Sequence, residues 1–121
     1  MTMVTAFCAS LLCFSAVAQG MDTPVIACNL KAISAAERPR YSELVKRLRA
    51  AVLERRELSD GFEFRLDGKA MTLPEVAEWM SKERLCCPFL AFQLATPGGH
   101  GDWWLKLSGP KGAKEFLAQE F

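Results

Sequence analysis

Two adjacent cysteines followed at once by a proline, in the stretch Glu83-Arg84-Leu85-Cys86-Cys87-Pro88-Phe89, are the residues of this chain best suited to chemistry. Vicinal thiols match soft, thiophilic ions such as mercury(II), arsenic(III), cadmium or copper(I), because softness rather than charge dominates those bonds. Cys28, distant in sequence, offers a third sulfur. Three thiolates would make a trigonal pyramid around arsenite or a trigonal site around mercury, whereas zinc would want a fourth ligand. His100, the one histidine, sits in a glycine-rich loop and reads as a surface residue rather than that ligand. Glu83 and Arg84 flank the pair and are candidates to orient it, although the ordinary place for such a glutamate is facing water.

The pair must be positioned by the helix before it. Thr72-Leu73-Pro74-Glu75 has capping-box spacing, and Val76, Ala77, Trp79 and Met80 supply an apolar stripe leading to Cys86. Pro88 forbids the helix to run on. A helix C-terminus carries partial negative charge, so with Glu83 one turn earlier the place disfavours a free thiolate, while Lys82 and Arg84 act in the opposite sense. A bound soft ion would deprotonate the thiols outright, which fits this place better than a low-pKa catalytic cysteine does. Two other readings stand beside ion binding. One is a thiol–disulfide redox protein using the Cys86/Cys87 pair, a vicinal disulfide included, resolved by Cys28. The other is an interaction module whose cysteines pack as small hydrophobes under Trp79 and Phe89. No serine–histidine–aspartate set, phosphate loop or paired catalytic carboxylates stands out, so the sequence names no reaction.

The remaining elements follow from periodicity. Pro24 to Leu30 is a short apolar run that predicts a strand, with Cys28 on it or just beyond it. Ser34 and Glu37 have capping-box spacing, and Pro39, placed beyond the first helical positions, predicts a short first turn and a kink. From Arg40 to Leu58, Tyr41, Leu44, Val45, Leu48, Ala51 and Val52 recur at helical spacing. The opposite face, with Arg40, Lys46, Arg47, Arg49, Arg55 and Arg56 among Glu43, Glu54 and Glu57, reads as a solvated surface with local ion pairs. Ser59-Asp60-Gly61 ends this helix, and Phe62 to Leu66 alternates as a half-buried strand. Phe89 to Leu94 reads as a well-buried strand, joined through Pro97 to Gly101 to an antiparallel partner at Trp103 to Leu107. Lys111 to Phe121 closes as a short helix with Ala113, Phe116 and Leu117 facing in. The expected fold is α+β: a single small domain, strand-helix-strand-helix-strand-strand-helix, with an antiparallel-rich sheet and helices packed on one face.

A chain of 121 residues suits one domain, and a net charge of +1 gives no electrostatic case for a nucleic-acid or membrane-surface partner. Residues 1 to 20 carry no charged side chain, and the apolar run ends in Ala16-Val17-Ala18. This anatomy predicts a signal peptide over 1–18, a linker over 19–24 and the folded domain over 25–121, exported to the periplasm or secreted with no stable membrane insertion after cleavage. Translation from Met21 would instead leave the chain cytoplasmic. Removal of the leader takes Cys8 and Cys13 with it and leaves the odd set Cys28, Cys86 and Cys87. Three cysteines allow one disulfide plus a free thiol, or a three-thiolate ion site.

From Ile26 to Phe121 the chain resembles a family of small bacterial proteins with a cysteine after the first strand, an E-R-x-C-C-P-F segment and a late G-P-x-G followed by Phe-Leu. Here these are Cys28, Glu83 to Phe89, and Gly109-Pro110-Lys111-Gly112 with Phe116-Leu117. The same module is similar to the effector region of some metal-responsive regulators of the mercury-sensor type. The resemblance implies metal or metalloid handling by association, and the DNA-binding segment of those regulators has no counterpart in this sequence.

Overall fold

The computed structural model describes residues 25–99 and 101–121. The leader and linker expected over 1–24, and His100, lie outside the described residues. Among the described residues, no helix is long and apolar enough to cross a membrane.

A 3-10 turn at Leu30–Ala32 is followed by α1 (Arg38–Ala51), β1 (Val52–Glu57), β2 (Gly61–Leu66), α2 (Leu73–Cys86), β3 (Ala91–Ala95), β4 (Trp103–Ser108) and α3 (Ala113–Glu120). The four strands form one antiparallel sheet in the order β1-β2-β4-β3. On β2, Phe62, Phe64 and Leu66 are buried at alternate positions, and on β4 so are Leu105 and Leu107. Leu44, Leu48 and Ala51 of α1, Val76 and Trp79 of α2, and Ala113 and Leu117 of α3 join the same core. The α+β arrangement with helices over one sheet face is therefore the one the periodicities predict.

Two elements differ from expectation. The run before Leu30 forms no strand: Val25 to Asn29 is irregular, and Asn29 caps the 3-10 turn by accepting the Lys31 N–H at 3.2 Å. The helix expected to reach Leu58 stops at Ala51, and Val52–Glu57 crosses into the sheet as an edge strand paired with β2. Leu53 to Glu57 are good helix formers, but the β2 backbone offers them a ladder, and such tertiary pairing overrides propensity. Ser59 to Gly61 accordingly turns a hairpin rather than ending a helix, closed by the Leu58 N–H donating to Gly61 O at 2.9 Å.

Smaller differences follow the same logic. Because α1 begins at Arg38, Pro39 falls in its first turn, where its missing N–H costs nothing, and the expected kink has no cause. Ser34 Oγ does meet Glu37 Oε2 at 3.0 Å, one turn upstream. The Thr72–Glu75 capping box forms in both directions, with bonds of 2.9 and 3.4 Å. Ala77 is exposed, so it drops out of the buried stripe of α2. Strand β3 is not well buried: Ala91, Gln93 and Ala95 are exposed, as an edge strand with one solvated face allows.

Candidate thiol site

The stripe that α2 buries is Val76, Trp79, Glu83 and Cys86, spaced three, four and three residues apart. That spacing keeps one face toward the core over the whole helix, and it carries Glu83 in with it. Glu83 is 5% exposed, so the expectation that it faces water is overturned. Cys87 is the residue at which the helix ends, its N–H donating to Glu83 O at 2.7 Å, with Pro88 preventing a further turn. Cys86 and Cys87 are 1% and 0% exposed. Arg84 and Leu85, on the opposite side, face solvent, so Arg84 stands away from the sulfurs it was expected to orient.

The N-terminal arm brings the third sulfur. The Asn29 N–H donates to Cys86 O at 2.8 Å, satisfying one of the carbonyls a helix leaves free at its C-terminus. Ile33 plugs into the core at 1% exposure, and Arg38 Nε donates to Ile33 O at 3.1 Å. Just before these anchors Cys28 is bonded to Cys87 in a disulfide, with Cα atoms 4.8 Å apart, while Cys86 remains a free, buried thiol. The sulfurs of Cys28, Cys86 and Cys87 all lie within 4.8 Å of one another. The juxtaposition of Cys28 with the pair was the expectation on which the three-cysteine reading depended. The pairing itself joins Cys28 to Cys87 and not the two neighbours to each other. Cys28 is an exposed residue and the other two are buried, which makes the cluster lopsided.

The polar surroundings were only partly foreseen. Tyr41 of α1, read in the sequence as one more member of an apolar stripe, donates its hydroxyl to Glu83 Oε2 at 2.6 Å. A tyrosine on a buried helix face needs a partner for its hydroxyl, and that requirement is the signal that could have linked it to Glu83. Burial pushes the Glu83 carboxyl above its ordinary range, with the Tyr41 bond pulling partly back. Burial, then the adjoining Glu83, pushes the Tyr41 phenol up. Burial, then the charge of Glu83, also pushes the Cys86 thiol up, as the helix-end argument anticipated, and Tyr41 offsets part of this. The buried acid and thiol and the half-buried phenol form a set that resists carrying net charge. Lys82, expected to favour the thiolate, is instead drawn to Glu37, Nζ to Oε1 at 3.0 Å.

The segments Glu83 to Phe89 and Gly109 to Leu117 meet here in space. The rings of Phe89 and Phe116 pack edge to face with centroids 5.3 Å apart. A Cβ on Gly109 would come within 3.1 Å of Phe89 O and 2.6 Å of Ala113 Cβ, so the late glycine admits the turn that follows the cysteines. Gly112 opens α3 with φ of 97°, a conformation only glycine adopts freely, and packs beside Ile26 of the arm. A cleft of about 510 Å³ shared by Leu30, Arg38, Pro39, Tyr41 and Val45 lies behind Tyr41, and none of the three cysteines lines it. Comparison of the chain with protein-family models, with curated proteins and with solved structures finds no match in any of the three.

Proposed function

We propose that this chain binds a soft metal or metalloid ion, of the mercury or arsenite kind, through Cys28, Cys86 and Cys87 in their reduced form, as a binding protein rather than an enzyme. The observation that carries the reading is the approach of three sulfurs to within 4.8 Å. Three sulfurs each about 2.3 Å from one ion stand at most ~4.0 Å apart, so once the disulfide is opened side-chain rotation must draw the widest pair in from 4.8 Å by under about 1 Å in the planar case. The donor set contains only thiols, which selects thiophilic ions over calcium or magnesium. Three donors without a fourth suit trigonal mercury or pyramidal arsenic better than zinc. The cost of ionising a buried Cys86 falls on the ion, which must displace the proton, so affinity rises with pH.

Two further considerations support the reading. The resemblance to the effector region of mercury-sensor regulators points to the same class of ion. The apolar leader fits export, and a disulfide between Cys28 and Cys87 is what an oxidising compartment would produce when no ion is bound. Met21 as the start would place the same site in a reducing cytoplasm.

Anaerobic titration of the fully reduced protein with arsenite, mercury(II) and zinc, followed by native mass spectrometry, tests this directly. One arsenic per chain, bound with loss of three thiol protons, is the expected product. Cys28→Ser should weaken arsenite binding by at least the ~10–100-fold that loss of a mere supporting group costs a metal site. Failure of the reduced chain to take up either arsenite or mercury stoichiometrically would overturn the proposal.

A further inference from the structure

A disulfide with a third thiol beside it is also equipped for sulfur exchange, whether or not an ion ever binds. We infer that the cluster exchanges disulfides with external dithiols, that Cys28 is the sulfur they attack, and that Cys86 is an internal substitute for Cys87. Three observations carry this. Cys28 is an exposed residue while Cys86 and Cys87 are buried, so of the two bonded cysteines Cys28 is the one on the side open to an outside thiolate. The free thiol of Cys86 lies within 4.8 Å of both bonded sulfurs. The backbone immediately after Cys28 is pinned independently of the disulfide, by Asn29 N–H on Cys86 O and by Ile33 in the core, which keeps the arm beside the helix end when the bond opens.

The external reaction runs in two steps. A thiolate of the dithiol attacks Cys28 Sγ, the Cys28–Cys87 bond breaks, and Cys87 leaves with the electron pair and takes up a proton. The second thiolate of the dithiol then attacks its own sulfur in the mixed disulfide, and Cys28 leaves and is protonated. Two electrons and two protons have passed to the protein, and the dithiol has become a disulfide. The internal reaction involves no net oxidation: Cys86 gives up its proton and its thiolate attacks Cys28 Sγ, Cys87 leaves with the electron pair and takes up a proton, and a Cys28–Cys86 bond replaces the Cys28–Cys87 bond.

The test uses the full chain with Cys8 and Cys13 replaced by serine, oxidised with the cyclic disulfide of dithiothreitol and mapped by alkylation and peptide mass. With all three site cysteines present, the Cys28–Cys87 bond is expected. Cys87→Ser should still lose the mass of two hydrogens and map to a Cys28–Cys86 bond; recovery of both as free thiols would overturn the internal exchange. Because a variant can fail through misfolding, the unaltered site supplies a second measurement, its rate of reduction by dithiothreitol in low concentrations of urea. Attack at exposed Cys28 predicts a rate that rises with dithiothreitol and is flat in urea. A rate that climbs steeply with urea and saturates in dithiothreitol would mean that reduction waits for unfolding, and would overturn the assignment of Cys28 as the point of entry.

Discussion

The Tyr41–Glu83 hydrogen bond, 2.6 Å long and joining a half-buried phenol to a buried carboxyl, sets the character of the site more than the cysteines themselves do. A buried carboxyl without its donor bears the full desolvation penalty, so Tyr41→Phe should lower stability by about 1–3 kcal/mol, read as a shift in the urea midpoint at constant m-value. Replacing both partners, Tyr41→Phe with Glu83→Leu, should recover part of that loss, since removing both ends of a buried pair can be nearly neutral. The pH dependence has a definite sign. Glu83 holds its proton more tightly in the folded chain than in the unfolded one, where its ordinary value is 4.5. Its favourable contribution is therefore complete below the unfolded value and is lost as pH rises through the folded value. Glu83→Gln escapes that loss, so its stability should gain on the natural protein as pH is raised from below 4.5 toward neutrality. Parallel urea midpoints across that window would show that Glu83 does not titrate differently on folding.

Helix α2 is specified at its two ends by unlike means, and they should fail separately. Its N-terminus rests on local chemistry, the reciprocal bonds of Thr72 and Glu75. Thr72→Ala should cost about 1 kcal/mol, as loss of an N-cap side chain does. It should leave the Cys28–Cys87 pairing unchanged in a peptide map, because Cys86 and Cys87 are held from the arm by Asn29 and the disulfide. The same contrast explains what could be read in advance. The capping box, the alternation of β2 and the β3–β4 hairpin are encoded within a few residues, and each appears where its pattern lies. Strand β1 could not be read this way, since Leu53 to Glu57 are helix formers that become a strand only when Gly61–Leu66 lies alongside. The closeness of three sulfurs was a legible possibility in the residue types, but which two would bond depends on where the arm docks. The Tyr41–Glu83 contact joins residues forty-two apart and left no local trace beyond a glutamate falling on the periodic stripe. The basic face of α1 is an ion-paired surface, but among the described residues only Arg40–Glu43 at 3.2 Å is the local kind its interleaved glutamates suggested; the other partners come from α2 and α3, with Arg40 binding Glu78 at 2.8 Å, Arg47 meeting Glu75 and Arg49 reaching Glu120 at 3.0 Å. Such exposed pairs contribute little individually, so α1 is held to α2 chiefly by the core they surround.

For the molecule as a whole, the Cys28–Cys87 bond closes a loop spanning 59 residues of sequence, tying the N-terminal arm to the helix end across the core. In the chain-entropy account a loop of that length stabilises the fold by about 4 kcal/mol, by restricting the unfolded ensemble. Reduction should therefore lower the stability of the protein by as much as that, and Cys28→Ser should behave like the reduced chain. Binding of an ion to the reduced sulfurs acts from the other side, stabilising the native state by mass action, by about 4 kcal/mol when free ion exceeds the dissociation constant a thousandfold. The two effects are of one size and exclude each other, since an ion and a disulfide compete for the same Cys28 and Cys87. Urea unfolding of the reduced protein under argon, with arsenite varied from none to saturating, should therefore show the midpoint fall on reduction and climb back toward the oxidised value with arsenite. Cys28→Ser should lack both the loss on reduction and most of the recovery. A reduced chain that regains nothing with arsenite, while remaining folded and within reach of the titrant, would leave the disulfide as the sole purpose of the arm.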